Sequence, residues 1–566
     1  MRRRSGKQEK KMNTNPLIHT WNPDAELNFM GGISYRLNPL DTLKMISTSS
    51  VFGEPQYYRD GDHAQATVPD EVCSVDRAFA QYSLRVLDPF LGMSTSAVME
   101  RAIDLALTYD YAGVLDWAAE LRTAYLMRLT PQIIMVRAAV HPGRKKYTAS
   151  HPGQFDAIEQ QVMLRADDVI AQADYALFLR GTKRGLPAVL KRSWARRISR
   201  MDQYSMAKYA RAGIGLIDVV RLCHAKGRLV SRLMRTGSLP MPAGENTWER
   251  MRAGGAGWQE ILTRIPMPHM ALLRNLRGIF SEVEDTALRE KVLARLIDGV
   301  RSGKQFPFRY LSAWKAIGLC GGEWTRQAEE ALDRCALLSC GNLPALPGKS
   351  AFLSDNSGSA WGTCTSEYGT MQIAEIGNMS AVLGAMRAED GYVFTFGNAL
   401  LPVPIDPKGS PMRQIRQANS IGKGCGMATE NGIWLFFRNA IFEHQHWDNI
   451  FIYSDMQAGH GGLYGSDWEA YRSVGCSLAG KYIDVNALIA LYRQRVNPKV
   501  NVCCIQTAGY TNALVPEYGY RTAVLCGWTG RELVFADILR KTWDAAESGP
   551  RVRTGGTRRA EDERIE

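Results

Sequence analysis

The chain has 566 residues, of which 45% are hydrophobic and 22% are charged, and its formal net charge is +12. This length leaves room for at least two domains, and this composition excludes a largely disordered or fibrous protein. No run approaches 18 consecutive apolar residues, which excludes a membrane-spanning helix.

The first twelve residues carry six Lys or Arg and one Glu. The segment that follows them is polar, so it does not supply the hydrophobic region of a signal peptide. We therefore predict that residues 1–15 are a basic disordered tail. The eleven cysteines form no CxxC pair, which predicts buried free thiols and a cytoplasmic location.

Residues 16–345 have the pattern of one helix after another. Apolar residues recur at helical spacing, for example at Val114, Ala118 and Leu121, and again at Leu272 and Leu276. Short Gly or Pro breaks separate these segments. This pattern is typical of stacked helical repeats, which present extended surfaces.

The pattern changes after the linker-like stretch 343–348. Short apolar runs at 351–354, 392–396, 450–453, 502–506 and 523–526 are predicted strands, and 426–442 and 485–495 are predicted helices. We predict a doubly wound α/β domain over residues 346–544, with a mainly parallel sheet and a ligand site at the carboxyl ends of its strands. Residues 545–566 are predicted to be a disordered tail.

Positive charge is concentrated in one region of the chain. Fifteen Lys or Arg lie between Arg180 and Arg235, against only Asp202 and Asp218. A helix predicted over 190–201 places basic residues on one face and apolar residues on the other. The basic residues are Arg192, Arg196, Arg197 and Arg200, and the apolar ones are Trp194, Ile198 and Met201. Because Arg side chains match phosphate oxygens, this density predicts nucleic-acid binding.

Oxygen-bearing side chains follow two of the predicted strands. Asp355, Ser357 and Ser359 come after the first strand of the α/β domain, and Asp455 closes the strand at 450–453. Carboxylate and hydroxyl oxygens are ligands for Mg²⁺ or another divalent cation. These residues therefore predict a metal site at the strand ends.

Five segments carry a family resemblance when they are taken in order. They are 207–211 (AKYAR), 218–224 (DVVRLCH), 246–249 (NTWE), 270–276 (MALLRNL) and 308–313 (FRYLSA). They resemble the Ro sixty-kilodalton autoantigen family, in which a helical TROVE domain precedes a von Willebrand factor A domain. In the second domain, Asp355, Ser357 and Ser359 resemble the metal-ion-dependent adhesion motif.

The resemblance implies a monomeric ring of HEAT-like helical repeats closed by the A domain. It implies a ribonucleoprotein that binds a small noncoding Y-like RNA on its basic outer surface and single-stranded 3′ ends of misfolded RNA in the ring hole. Its implied role is RNA quality control and decay with an exoribonuclease, without catalysis by this chain.

The resemblance also suggests particular residues. The family's RNA contacts match Lys208, Arg211 and His224, and the charge of the same region adds further RNA-binding candidates. These are Arg196, Arg197, Arg200, Arg221 and Lys226. The family's threonine metal ligand corresponds to Thr429, with Cys425 or Ser420 as alternatives.

Two other functions fit parts of the sequence. The first is a metal-dependent protein-adhesion module with no specific RNA, which predicts that the purified protein carries no nucleic acid. The second is a nuclease that uses Asp355 and Asp455 with a metal, which predicts that the chain shortens RNA in the presence of Mg²⁺.

Overall fold

The structure is a computed structural model in which a run of helices precedes a six-stranded sheet with its own helices. It describes residues 25–27, 33–35, 38–47, 95–181, 185–210, 215–242, 247–318, 321–361, 372–427, 429–456, 485–507, 514–515, 521–526 and 530–548. We call the described residues up to 342 the helical part and those from 346 the α/β part. Among the described residues, no helix has the length and apolar character needed to cross a membrane.

The helical part begins with a short antiparallel hairpin of β1 (Ala25–Leu27) and β2 (Ile33–Tyr35). The helices that follow are α1 (Pro39–Ser47), α2 (Thr95–Tyr109), α3 (Tyr111–Thr123), α4 (Thr130–Val140), α5 (Arg144–Ser150), α6 (Gln154–Val162), α7 (Ala166–Arg180), α8 (Ala188–Ile198), α9 (Gln203–Tyr209), α10 (Leu216–Cys223), α11 (Arg228–Thr236), α12 (Trp248–Ala253), α13 (Trp258–Arg264), α14 (His269–Glu282), α15 (Thr286–Asp298), α16 (Val300–Gly303), α17 (Pro307–Gly318) and α18 (Glu323–Ser339).

Local sequence sets where these helices begin and end. The carboxylates of Asp110 and Asp202 accept backbone N–H groups in the first turns of α3 and α9, which satisfies donors that have no partner within the helix. Gly181 and Gly237 end α7 and α11 in the left-handed conformation that glycine adopts without strain.

The α/β part holds a mixed sheet in the order β5-β4-β3-β6-β7-β8. Its strands are β3 (Leu346–Asp355), β4 (Ala388–Phe396), β5 (Leu400–Val403), β6 (Asn449–Ser454), β7 (Asn501–Gln506) and β8 (Thr522–Cys526). Its helices are α19 (Ile373–Ala385), α20 (Pro411–Gly422), α21 (Thr429–Phe442), α22 (Val485–Arg495) and α23 (Arg531–Ser548). Neighbouring strands are parallel except for β5, which runs antiparallel at one edge.

Helices cover both faces of this sheet. A Cβ on Gly384 of α19 would clash with the ring of Phe352, so glycine lets α19 approach one face closely. A Cβ on Gly432 of α21 would clash with Phe396, whose register partner Asp355 points away from the face of Phe352. The predicted α/β arrangement is therefore present, and the direction of connection reverses between β3 and β6, where such sheets place their ligand sites.

Several sequence predictions need correction. The region predicted to be entirely helical contains the β1–β2 hairpin, and the predicted linker at 343–348 already contains the start of β3, with a bulge between Leu346 and Lys349. Residues 545–548, predicted to lie in a disordered tail, form the end of α23. The buried guanidinium of Arg521 holds this end through ion pairs with Asp544 (2.7 Å) and Glu547 (2.8 Å).

The helical part contacts the α/β part at both of its ends. At one end α18 leads through a short 3₁₀ turn into β3, and Asp333 of α18 accepts the backbone N–H of Met412 (3.0 Å). At the other end the ring of Phe535 on α23 stacks on Tyr125, with centroids 3.4 Å apart, and packs against Trp117 of α3. The α/β part therefore contacts the helical part near its first helices and at its last one.

A buried polar layer lies beneath α8. The indole of Trp194 donates to Gln172 of α7 (2.9 Å), whose amide donates to Gln132 of α4 (2.8 Å). The carboxyl group of Glu159 on α6 is fully buried beside Gln172 and Ser193, and neither of its oxygens has a partner in hydrogen-bonding geometry. Burial raises the pKa of Glu159 to about 7, against the smaller opposing effects of Gln172 and Ser193.

Replacing Glu159 by Gln is expected to make the stability of the helical part less dependent on pH. The folded state holds the Glu159 proton up to about pH 7, whereas an unfolded glutamate releases it near 4.5. The wild type therefore loses stability as the pH rises from 4.5 to 7, and Glu159→Gln removes that loss. We expect the difference in stability between the variant and the wild type to be about 3 kcal/mol more favourable to the variant at pH 8 than at pH 5. Urea unfolding measures this, with the exposed Glu249→Gln as control; an equal difference at both pH values would contradict the assignment.

Candidate nucleic-acid interface and metal site

The basic segment predicted from the sequence folds into four consecutive short helices, α8 to α11. Helix α7 packs against α8, α9 and α10, and α11 packs against α9 and α10. The cations of all four helices are therefore gathered in one region. We call the following residues the basic surface: Arg192, Arg196, Arg200, Lys208, Arg221, Lys226, Arg228, Arg232 and Arg235. Arg196 is half-buried and the others are exposed.

Helix α8 has the two faces that its sequence predicts. Trp194 and Ile198 are fully buried, whereas Arg192 is exposed. The helix ends at Ile198 and not at the predicted residue 201, so Arg200 lies in the turn that follows it. Arg200 is nevertheless exposed next to the end of α8.

The predicted contact residue Arg197 points partly into the protein. Its guanidinium donates to the backbone oxygen of Leu164 (2.6 Å), and its Nε is buried without a partner. The Arg197 side chain therefore helps to hold α8 against the loop before α7, and it is only partly available to a ligand at the surface. Sequence periodicity places Arg197 on the polar side of α8 but does not reveal this contact with a distant loop.

The turn after α10 is joined to the end of α8. The hydroxyl of Ser199 donates to the backbone oxygen of Lys226 (2.7 Å), which places the turn that carries Arg200 beside the turn that carries Lys226. His224 ends α10 in the left-handed conformation (φ 56°) and is exposed. Three of the predicted contact residues therefore lie around one junction.

The remaining predicted contacts differ in what the structure shows of them. Lys208 is exposed on α9, with its ammonium 5.6 Å from the ring centroid of Tyr209. Arg221 is exposed but pairs with Asp218 (3.5 Å). Arg211 lies outside the described residues.

The charge of the basic surface is almost uncompensated. Across residues 185–210 and 215–242, Arg221 is the one basic side chain within 4.0 Å of a carboxylate. Sequence reasoning did not single out Arg228, Arg232 and Arg235 as contacts, although α11 exposes all three. Their spacing of four and three residues along α11 is the signal that identifies them.

The predicted metal ligands meet at the carboxyl ends of β3 and β6, the two central strands. The hydroxyl of Ser359 donates to Asp455 Oδ2 (2.8 Å) and lies 3.3 Å from the hydroxyl of Ser357. The backbone N–H of Ser357 donates to Asp355 Oδ1 (2.9 Å). Two carboxylates and two hydroxyls are thus gathered at one point. We call Asp355, Ser357, Ser359 and Asp455 the oxygen cluster.

The electrostatics of this cluster favour a cation. Asp355 and Asp455 are only 1% and 2% exposed. Burial, followed by the negative charge of Asp455, raises the pKa of Asp355 to about 7, although hydrogen bonds from Ser454 and Ser357 oppose the rise. Two buried carboxylates that repel each other, together with hydroxyl oxygens, make a donor set that fits a small hard cation such as Mg²⁺.

The structure adds one residue to this cluster that sequence reasoning missed. The hydroxyl of Ser454, the last residue of β6, donates to Asp355 Oδ2 (2.6 Å), and Ser454 also accepts the backbone N–H of Met456 (2.9 Å). The serine just before Asp455 was the available signal. Ser454 therefore links the ends of β3 and β6.

The third predicted ligand segment lies beside the cluster. The backbone N–H of Gly358 donates to the backbone oxygen of Met427 (3.0 Å), two residues before Thr429. The side chain of Thr429 lies outside the described residues. Of the two alternatives, Ser420 is exposed on α20, and the Cys425 thiol is buried and donates to the hydroxyl of Thr395 (3.3 Å).

Other metal chemistry finds little support in the described ranges. They contain no group of three or more His, Cys, Asp or Glu side chains placed to hold a metal ion. The described cysteines that carry free thiols are buried, as predicted; they are Cys223, Cys335, Cys340, Cys425, Cys503 and Cys504.

Comparison with known proteins supports this architecture. Residues 239–331, which include α12 to α17 and part of α18, match the family model of the TROVE domain. The crystal structure of the Ro (RSR) protein of Deinococcus radiodurans is similar, with a TM-score of 0.55 and 14% sequence identity over 78% of this chain and 93% of that chain. No curated protein matches the sequence. These findings agree with the resemblance predicted from the sequence: residues 239–331 match the TROVE domain, and the chain shares the fold of a bacterial Ro protein.

Proposed function

We propose that the chain is an RNA-binding scaffold. The observation that carries this proposal is the basic surface, in which four adjacent helices present cations almost without carboxylate partners. Such a surface is costly without an anionic partner, because like charges repel, and phosphates relieve this repulsion. The TROVE segment and the Ro fold support RNA as the source of those phosphates.

Two kinds of RNA are proposed for the chain, and features of the structure support each of them. A structured small RNA of the Y-like class fits the basic surface, because A-form helices are recognised mainly through phosphates and shape. The contacts at both ends of the helical part support a ring within one monomer, whose hole accepts single-stranded 3′ ends of misfolded RNA. In this proposal the chain works in cytoplasmic RNA quality control and decay, with an exoribonuclease as partner.

We further propose that the oxygen cluster binds Mg²⁺ or another divalent cation. Asp355, Ser357, Ser359 and Asp455 would hold it together with Thr429, in an α/β part of the von Willebrand factor A type. A bound cation would attract a carboxylate of a partner protein as a further ligand. The protein's own residues orient Asp355 for this role, because Ser454 and the backbone of Ser357 donate to its two oxygens. This proposal assigns binding and no catalysis to the chain.

The oxygen cluster also favours one alternative function. A metal-dependent protein-adhesion module would use the same residues at the ends of β3 and β6 and would leave the basic surface without a specific RNA. The nuclease hypothesis would instead require loss of RNA in the presence of Mg²⁺, and loss of that activity in Asp355→Ala.

RNA that co-purifies with the protein tests the main proposal. We expect protein purified from its own host without nuclease to carry a discrete small RNA with a base-paired stem. Lys208→Ala with His224→Ala should release most of it, because Lys208 belongs to the basic surface and His224 is exposed next to it. Lys408→Ala with His446→Ala removes the same side-chain types from exposed positions of the α/β part and should retain the RNA. Nucleic-acid-free wild-type protein at low salt would favour the adhesion module.

A further inference from the structure

The α/β part carries a second set of cations along one helix. On α20 and the residue that ends it, Arg413, Arg416, Ser420 and Lys423 are all exposed and recur at spacings of three, four and three residues. This spacing keeps them on one side of the helix. From Arg413 to Lys423 the stripe is about 15 Å long, at 1.5 Å per residue.

Two of these cations lie over tryptophan rings from different parts of the chain. The guanidinium carbon of Arg416 is 5.3 Å from the ring centroid of Trp314 on α17. The ammonium of Lys423 is 5.4 Å from the ring centroid of Trp361, which lies two residues after Ser359 of the oxygen cluster. Both tryptophans are half-buried. Cations and aromatic rings are thus interleaved from the helical part to the oxygen cluster.

The charge of this stripe is not neutralised by the described acidic residues. Arg413, Arg416 and Lys423 have no carboxylate within 4.0 Å among the described residues, whereas Lys315 on the neighbouring α17 pairs with Glu375 (3.3 Å). Asp333 is used by the backbone N–H of Met412 at the start of α20. The stripe therefore attracts anions.

We propose that α20, together with Trp314 and Trp361, binds a single-stranded segment of RNA. The three cations contact successive phosphates, and unpaired bases stack on the guanidinium plane of Arg416 and on the accessible parts of the two rings. A row of cations interleaved with aromatic rings is the arrangement that binds single strands without reading sequence. A duplex keeps its bases stacked inside the helix, so it gains only the phosphate contacts.

This inference rests on the proposed function for the identity of the ligand as RNA, but it concerns a different surface. The basic surface lies on α8 to α11, whereas the stripe lies on α20 and ends near the oxygen cluster. The hydrogen bond from Gly358 to Met427 joins the segment after Lys423 to the loop that carries Ser357 and Ser359. A strand bound along α20 would therefore end beside that loop.

Binding of a labelled twelve-nucleotide oligouridine tests the inference. Fluorescence anisotropy in EDTA, which removes any contribution of a bound cation, compares the wild type with the triple variant Arg413→Ala, Arg416→Ala and Lys423→Ala. We expect at least about ten-fold weaker binding, and a slope of log affinity against log salt that is flatter by about 2, because each phosphate contact with a single strand contributes about 0.7. The control variant Lys291→Ala, Lys408→Ala and Arg495→Ala removes three exposed cations elsewhere and should bind as the wild type does.

Two further probes separate stacking from charge alone. A twelve-base-pair RNA duplex should lose less than about three-fold in the triple variant, and Arg416→Lys, which keeps the charge but lacks the guanidinium plane, should weaken oligouridine binding by about two- to three-fold. Unchanged oligouridine affinity in the triple variant, or an equal loss for oligouridine and duplex, would overturn the inference. A structured RNA that still binds the triple variant through the basic surface would show that only this inference, and not the proposed function, had failed.

Discussion

Reversing the charge of Arg192, Arg196 and Lys226 is expected to weaken binding of a structured small RNA by about 10³-fold or more. Each reversal removes one phosphate contact and adds repulsion, and the three side chains lie on α8 and on the turn that Ser199 joins to it. The slope of log affinity against log salt should become flatter by about 3, at about 0.9 per phosphate contact with a duplex. Filter binding between 50 and 300 mM salt measures both quantities.

A matched variant controls for the change in net charge. Lys291→Glu, Lys408→Glu and Arg495→Glu reverse three exposed cations that lie away from α8 to α11. This control should keep affinity within about three-fold of the wild type, because the Debye length at physiological salt is only about 8 Å. Arg197 is left unchanged because its contact with Leu164 stabilises the fold. Equal losses in both variants would indicate a general effect of charge, and no loss in either would refute RNA binding by the basic surface.

Periodicity and composition predicted the features that depend on local sequence. Trp194 and Ile198 are buried as the helical spacing of α8 requires, and the apolar runs at 351–354 and 450–453 lie within β3 and β6. Asp355 and Asp455 meet because parallel strands end at the same edge of a sheet. These predictions needed only the repeat of a helix or strand and the topology of an α/β fold.

Features that depend on distant parts of the chain were not predictable in this way. Strand β5 contains Pro402 and is too short to show a strand pattern, and it is held by its pairing with β4. The ring of Phe535 stacks on Tyr125 across more than 400 residues of sequence. Arg416 and Trp314 form a pair only because α20 packs against the end of the helical part, where α17 and α18 lie. Single-sequence patterns carry no information about such encounters.

The oxygen cluster gives a prediction in which metal affinity and metal-free stability change in opposite directions. In Asp355→Asn the side chain keeps its size, and its amide can still bond to Ser454 and to the backbone of Ser357. The substitution removes one charged ligand, so Mg²⁺ should no longer bind measurably. It also removes one of two buried carboxylates that repel each other, so the metal-free variant should melt at least as high as the metal-free wild type.

Thermal melting with and without Mg²⁺, together with titration calorimetry, measures both effects. At a Mg²⁺ concentration one hundred times its dissociation constant, binding to the folded state stabilises the wild type by about 2.7 kcal/mol, and this gain should vanish in Asp355→Asn. The exposed carboxylate of Asp298 provides the matched control, and Asp298→Asn should respond to Mg²⁺ as the wild type does. If Asp355→Asn melted several degrees lower than the wild type in EDTA, Asp355 would be a structural hydrogen-bond acceptor and not a metal ligand. If it still gained stability from Mg²⁺, the cation would bind elsewhere, because a site that depends on two carboxylates cannot lose one and keep its affinity.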